Sequence, residues 1–422
     1  MLDIRLLRDQ PDLVKVRLAT RGGKMDDAVD AILGLDSKRR AVETRLQALQ
    51  AERKRLSKVI GSRRSQGDDT ASAEAEVKSR AAEMQTLSEE GALLEQQQRD
   101  LLLLVPNLPQ EAVPVGSDSS HNRVVRTWGD KPSLPRIEDH LMIARRFDLI
   151  DFERATKISG SGFACFKGKG ARLERALINF LLDLHTSTHR YQEISPPILM
   201  RPETLVGTSQ LPKFEEQLYY VERDDLYLAP TAEVPLTNLH REEVLPLSML
   251  PLRYTAYTPC LRREAGAAGV GTRGLIRMHQ FDKVELVKIC APENSITELE
   301  ALTNDAEKVL QILGLHYRVL DLCTGDLSFG AARTYDIEVW SPGQNAFLEV
   351  SSCSNFEDFQ ARRMNLRFKG PDGKNRFCHT LNGSGTALAR LYVALLETGL
   401  QSNGTISLPE PLHAYFGATL ID

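Results

Sequence analysis

Apolar residues at Leu35, Val42, Leu49 and Leu56 recur every seven positions, with Leu46 and Ile60 widening the stripe. A seven-residue apolar period marks the seam along which one long helix packs against another. The pattern breaks over the polar stretch 61–67, after which Asp68, Asp69 and Thr70 offer side chains that cap a helix start. It resumes at Val77, Met84, Leu87, Leu94 and Leu101. The spacing predicts an antiparallel helical hairpin over about 35–100, whose first helix is roughly 40 Å long at 1.5 Å per residue. One narrow seam cannot bury both helices in a globular core, so the hairpin reads as a projecting arm.

Beyond residue 105 this periodicity disappears. Residues 106–132 are rich in Pro, Gly, Ser and Asn, the composition of a linker. They separate an N-terminal domain (1–105) from a second domain (106–422). There, apolar and polar residues alternate over 274–290 (Ile276, Met278, Phe281, Val284, Leu286), 317–323, 335–340 and 346–352, which predicts strands. Helical stretches at 173–189, 296–313 and 386–398 interrupt them without regular strand–helix alternation. The expected fold class is α+β, an antiparallel sheet flanked by helices, preceded by the coiled-coil arm.

The 422 residues suffice for two or three structural units, and a 26% charged fraction is ordinary for a globular protein. A net charge of −4 excludes a protein coated in positive charge, so any nucleic-acid contact has to be local. Within the hairpin the charge is polarised. Residues 35–65 hold ten Lys and Arg against three Asp and Glu, whereas residues 68–100 hold three against nine. Pairing between the helices is one reading of this contrast. Phosphate contact is the other, because Arg53, Lys54, Arg55, Lys58, Arg63 and Arg64 cluster toward the tip, where the second helix has few acids to answer them. Six isolated cysteines without CxxC spacing read as reduced thiols. Asp3, Asp9 and Asp12 argue against a secretory or transit segment, and apolar runs such as 101–105 fall far short of the ~20 residues that cross a bilayer. A cytoplasmic location without membrane insertion is expected.

Three segments of the second domain carry more chemistry than a core uses. Pro259-Cys260-Leu261-Arg262-Arg263-Glu264 runs into the glycine-rich stretch 265–274. Such a loop costs ordering entropy and supplies no packing, although a mobile hairpin tip would look similar. Thr334-Tyr335-Asp336-Ile337-Glu338-Val339-Trp340 and Phe347-Leu348-Glu349-Val350-Ser351-Ser352-Cys353-Ser354-Asn355 put carboxylates and hydroxyls on one face of neighbouring strands. Those oxygens suit Mg²⁺ bridging nucleotide phosphates, or a solvated sheet face. Leu381-Asn382-Gly383-Ser384-Gly385-Thr386-Ala387-Leu388-Ala389-Arg390 enters an apolar helix with one arginine near its start, which calls for an anion, a carboxylate or a phosphate. The chain has no GxGxxG or P-loop sequence, so a nucleotide site would be of neither kind.

These segments resemble motifs 2 and 3 of class II aminoacyl-tRNA synthetases, and Thr231-Ala232-Glu233 is similar to the TxE serine-binding motif of bacterial-type seryl-tRNA synthetases. The resemblance spans the whole chain, since arm, linker, TAE, motif 2, EVSS and NGSG follow in that family's order. It implies a serine–tRNA ligase that activates L-serine with ATP to a seryl-adenylate and passes it to the 3′ end of tRNA(Ser), with tRNA(Sec) as a second candidate acceptor. By the same resemblance Arg262 and Arg390 are the catalytic cations, Arg262 on the α-phosphate and the serine carboxylate, Arg390 on the γ-phosphate. Glu264 accepts from the adenine amino group, Phe281 stacks on adenine, and Arg263, Val350 and Ser351 complete the ATP-binding set. Glu349 and Ser352 hold the Mg²⁺ that bridges the phosphates. Thr231, Ala232, Glu233, Glu285, Asn382 and Ser384 join Arg262 around serine, and the arm's basic cluster meets the tRNA. The stretch 177–197 corresponds to motif 1, which implies a homodimer.

The chain departs from the family's usual pattern at Arg263, where serine is common, at Arg190, where glycine is common, and at Ala389, where glycine or proline is common. None of these removes a ligand, but Arg263 and the Val270-Gly271 loop tip leave the acceptor-strand contacts open. His185 and His189 have the i, i+4 spacing of a zinc pair; lacking a third ligand nearby, they are expected to be helix-surface or interface residues. Two rival readings are a ligase that loads a carrier protein and an inactive paralogue that binds through its arm. The first lacks a long basic arm, and the second would have lost Arg262, Glu264, Glu349 or Arg390, all of which are present.

Overall fold

A computed structural model of the chain describes residues 1–264 and 274–422; the loop 265–273, with its Val270-Gly271 tip, lies outside the described residues. The chain forms two units, Met1–Ala19 with Gly23–Pro106, and Thr20–Gly22 with Asn107–Asp422.

The first unit is built on two long helices, α1 (Asp26–Gln66) and α2 (Ala71–Leu104). Every predicted seam position on both helices is at least partly buried, while the residues between are mostly exposed. With 41 residues, α1 extends beyond the seam at both ends and is about 60 Å long. It does not break at Gly61, where an interior glycine costs about 1 kcal/mol. It stops at Gly67, whose φ of 81° suits glycine, with Asp68 N donating back to Arg63 O at 3.1 Å. Asp69 accepts from Ala71 N at 2.9 Å and opens α2, whereas the Thr70 hydroxyl turns to Glu74 instead.

Ion pairs join the two helices at Arg45–Glu83 and Arg64–Glu74, both 2.7 Å, and at Arg80–Glu52. Of the basic cluster, Arg64 is therefore engaged. Arg53, Lys54, Arg55, Lys58 and Arg63 are exposed, with no carboxylate within 4.0 Å among the described residues. Pairing consumes part of the charge contrast and leaves these five cations uncommitted.

The second unit is organised by an eight-stranded sheet: β1 (Arg123–Trp128), β2 (Gln192–Glu193), β3 (Leu252–Leu261), β4 (Gln280–Cys290), β5 (Tyr317–Asp321), β6 (Arg333–Ser341), β7 (Ala346–Asn355) and β8 (His379–Ala387). Their order is β1-β5-β6-β7-β8-β4-β3-β2, antiparallel throughout except for the β2–β3 edge pair. Helices α3 (Lys169–Asp183), α4 (Ser295–Ile312) and α5 (Leu388–Gly399) share one core with the sheet, in which Leu177, Leu302 and Tyr392 join Val284, Ile337 and Leu381. Side-chain alternation then turns Phe281, Lys283, Glu285, Asn382 and Ser384 to the opposite face.

Several boundaries differ from the expectation: residues 123–128 of the expected linker form β1, and the strand expected over 346–352 runs on to Asn355. The strand predicted over 274–290 begins at Gln280, because His279 N turns to Gly162 O at 2.9 Å instead of returning the bond that Arg262 N gives to His279 O, and the β3–β4 ladder ends there. The helix predicted over 173–189 ends at Asp183 and continues as a π-helical turn, Leu184–Thr188. Thr386 and Ala387 belong to β8, and α5 starts at Leu388. Among the described residues no helix is long and apolar enough to cross a membrane. All six cysteines are free, five of them buried.

Candidate active site

Two β-bulges decide which side chains reach the open face of the sheet. β6 pairs with β7 at Ile337↔Ser351 and Glu338↔Glu349, which leaves Val350 as an extra residue. In a regular strand Glu349 and Ser352, three positions apart, would point to opposite faces; the bulge turns both the same way, with Asp336 directly across from Ser352. Burial and the Glu349 carboxylate push the Asp336 carboxyl above the usual range. β4 pairs with β8 at Val284↔Thr386 and Glu285↔Ser384, which leaves Gly385 over. A Cβ there would lie 2.7 Å from His185 Nε2, so the kink needs glycine. Its carbonyls are tied from both sides: Ser351 donates to Ser384 O at 2.6 Å, and His185 Nε2 donates to Gly385 O at 2.8 Å.

His185 and His189 are therefore not surface residues. The π-helical turn carries them inward, where their Nδ1 atoms lie 3.0 Å apart. Burial pushes the His185 ring down to about 4, which keeps it neutral. Three of the pair's four ring nitrogens thus bond protein groups, and the pair braces β8.

A cavity of about 690 Å³ opens on this face, a size ordinary for a small-molecule site. Every predicted site residue of this unit lines it except Ala232, Arg263 and Ser351. Ala232 is fully buried in the neighbouring core. Arg263 is exposed, and its backbone N–H holds Gln217 O at 2.9 Å. The Ser351 hydroxyl is engaged at Ser384 O.

Two guanidinium groups enter the cavity on fixed mounts. Arg262, at the end of β3, donates from Nε to Pro230 O at 3.1 Å and lies 5.2 Å from the centre of the Phe281 ring. Arg390, in the first turn of α5, donates to Glu349 O at 2.7 Å and to Ile276 O at 3.2 Å. Its NH1 is also 3.6 Å from the Glu349 carboxylate, so the anion next to this arginine is a carboxylate that itself faces the cavity.

A polar hollow adjoins them. Thr231 donates to Glu285 Oε2 at 3.2 Å and accepts from Glu233 N at 3.2 Å. Gln360 donates to Glu233 at 2.8 Å and accepts from Thr380 at 2.7 Å. Burial, then the nearby Glu285 carboxylate, push Glu233 up to about 7. Asn382 lines the hollow at 6% exposure, and its Nδ2 is buried without a hydrogen-bond partner among the described residues. An orphaned amide donor in a cavity wall is a costly group that a ligand oxygen would satisfy.

Some wall residues escaped the sequence reading. Lys283 pairs with Glu285, and Arg277 pairs with Glu264. Lys283 follows from alternation, since it stands two residues from both Phe281 and Glu285 on β4. Residues 208–218 and 328–330 also line the cavity; their composition is that of ordinary loops, and nothing in it marked them.

Comparison with known proteins places both units. Residues 215–399 match the class II tRNA synthetase core domain (G, H, P, S and T), and residues 1–109 match the seryl-tRNA synthetase N-terminal domain. The fold is that of a class II aminoacyl-tRNA synthetase. A serine–tRNA ligase of Akkermansia muciniphila is 54% identical over 424 residues, covering 100% of this chain and 99% of that protein. One from Syntrophobacter fumaroxidans is 50% identical over 419 residues, 99% of each chain. The crystal structure of seryl-tRNA synthetase from Pyrococcus horikoshii complexed with ATP superposes with a TM-score of 0.94 at 37% identity, over 100% of this chain and 99% of that one. The chain belongs to the seryl-tRNA synthetase family.

Proposed function

We propose that this protein activates L-serine with ATP and transfers it to the 3′ end of tRNA(Ser), acting in the cytoplasm as a homodimer formed around its motif 1 region. The observation that carries the reading is convergence: two mounted guanidinium groups, an oxygen pair and a polar hollow with an amide donor that has no partner among the described residues share one cavity. In the activation step the serine carboxylate attacks the α-phosphorus and the bond to pyrophosphate breaks. No protein nucleophile is needed; Arg262 and Arg390 offset the charge that develops on the phosphates. Phe281, beneath the Arg262 guanidinium, offers its ring to adenine.

Glu349 and Ser352 fit Mg²⁺. The Val350 bulge aims both oxygens into the cavity, and this ion takes few protein ligands, completing its shell with phosphate and water. When bound it would neutralise phosphate charge and fix the triphosphate. The uncommitted cations of α1 support contact with tRNA, and tRNA(Sec) is a second acceptor to assay beside tRNA(Ser). The direct test is amino-acid-dependent exchange of pyrophosphate into ATP across all twenty amino acids; serine alone should support it at full rate.

Glu285, held by Thr231 and Lys283, is the group placed to read a hydroxyl. Glu285→Ala should raise the serine KM by about 10²-fold or more while the ATP KM barely moves. Equal losses for both substrates would count against this assignment.

Glu233 gives the hollow a pH dependence. Its carboxyl is neutral below about 7 and charged above it, and an ammonium group pairs with the charged form. The serine KM should therefore rise as pH falls through 7, and Glu233→Gln should flatten that rise. A flat profile in the unaltered protein would remove Glu233 from the ammonium site.

A further inference from the structure

Glu397 lies on α5 two helical turns after Arg390 and on the same face of that helix. Unlike Arg390 it is fully buried. Four donors converge on its carboxylate: His140 N at 3.1 Å, Gly343 N at 3.0 Å, the Ser341 hydroxyl, and the His140 ring through Nδ1 at 3.3 Å. A buried carboxylate needs such a set, and here the set also orients the imidazole.

His140 opens a seven-residue helix, His140–Arg146, at 1% exposure. Its Nδ1 faces Glu397, and Asp139 Oδ1 stands 3.6 Å from the same atom, so the ring hydrogen sits on Nδ1 and Nε2 keeps its lone pair. Leu275 N donates to that lone pair at 3.5 Å. Two glycines permit the approach. A Cβ on Gly274, whose φ is 66°, would lie 2.5 Å from His140 Nε2, and one on Gly343 would lie 2.7 Å from the Glu397 carboxyl carbon.

Leu275 begins a short segment, 275–278, that lines the cavity. Within it Ile276 O accepts from Arg390 Nε at 3.2 Å, and Arg277 pairs with Glu264. Helix α5 therefore grips one segment twice, directly through Arg390 and, through the His140 ring, from Glu397.

We infer that His140, oriented by Glu397, is a positioning residue for ATP: by holding Leu275 N it keeps Ile276 O against the Arg390 guanidinium and Arg277 beside Glu264. The inference rests on the reading above in which Arg390 and Glu264 meet the nucleotide. At 3.5 Å the bond to Leu275 is long, so its loss should cost less than loss of either catalytic arginine.

Two substitutions separate the two bonds of the ring. His140→Asn keeps a donor for Glu397 at the δ position and removes the acceptor for Leu275. His140→Gln carries an accepting oxygen to the ε position. In serine-dependent pyrophosphate exchange His140→Asn should raise the ATP KM by about 5- to 10-fold and leave the serine KM within about twofold. His140→Gln should restore most of the ATP KM. Loss of folded protein alone would lower the exchange rate and move neither KM. Hydrogen exchange with no substrate present should show the Leu275 amide deprotected by about 10-fold in His140→Asn and protected again in His140→Gln. Exchange of pyrophosphate by the unaltered protein bears on the activation reading by itself, and amide protection bears on the contact by itself, so the two can fail separately. An ATP KM unmoved in His140→Asn, a serine KM that rises with it, the same losses in both variants, or a Leu275 amide equally protected in all three proteins would each overturn the inference.

Discussion

Replacing Arg262 by alanine is expected to lower serine-dependent pyrophosphate exchange by about 10³-fold, the upper end of what one preorganised charge-stabilising donor contributes. The size follows from what else the cavity holds. Lys283 is tied to Glu285, Arg277 to Glu264, and Arg390 lies against Glu349, so none of these cations is free to move onto the α-phosphate. Arg262→Lys should recover a minor part, because an ammonium can keep neither the contact with Pro230 O nor the planar face over Phe281. The measurement is exchange at saturating serine and ATP. A loss below tenfold would mean that the guanidinium is not on the reacting phosphate.

The second large effect belongs to the arm. Alanine at Arg53, Lys54, Arg55, Lys58 and Arg63 should leave exchange untouched and weaken tRNA binding by at least 10²-fold at moderate salt. The slope of log affinity against log salt should shrink by about 0.7–0.9 for each phosphate that the arm no longer neutralises. All five side chains are exposed and have no carboxylate partner among the described residues, so fold stability should change little. Arg64, committed to Glu74, is deliberately left in place. Unaltered tRNA affinity, or an unaltered salt slope, would move the tRNA footprint elsewhere.

How much of this was legible beforehand depends on whether the signal was periodic or conformational. The heptad from Leu35 to Ile60 fixed the seam residue by residue, because burial along a helix repeats whatever the ends do. The ends were misjudged at Gly61, since one glycine does not stop a helix that packing continues to support; the left-handed backbone at Gly67 does. On β4 the alternation was right in phase and too long at its start, because His279 N is diverted to Gly162 O and the ladder stops just before Gln280.

Most of the candidate site was readable as motif, and its unreadable parts share a cause. Lys283 was overlooked although its strand position announced it. The walls at 208–218 and 328–330 join the cavity through folding alone, with sequence separations of about 50 and 70 residues from Arg262, and loops of Thr, Ser, Gln and Phe carry no period. His185 and His189 were misplaced because helical spacing gives the face of a regular helix, and the π-helical turn that holds them rotates that face inward. Ser351 was grouped with its neighbours in a polar run, but a strand offers only alternate members of such a run to one side.

The Val350 bulge makes the site depend on backbone conformation as well as on residue kind. Every candidate cation ligand would survive a straightening of β7, yet with Val350 taken up as an ordinary rung Glu349 and Ser352 would part, and Glu349 would turn toward α4 and α5, into a layer with no water to solvate its charge. Removing Val350 outright would instead set the two ligands two positions apart in a regular ladder, still on one face. The kink thus does for a longer strand what a missing residue would do for a shorter one.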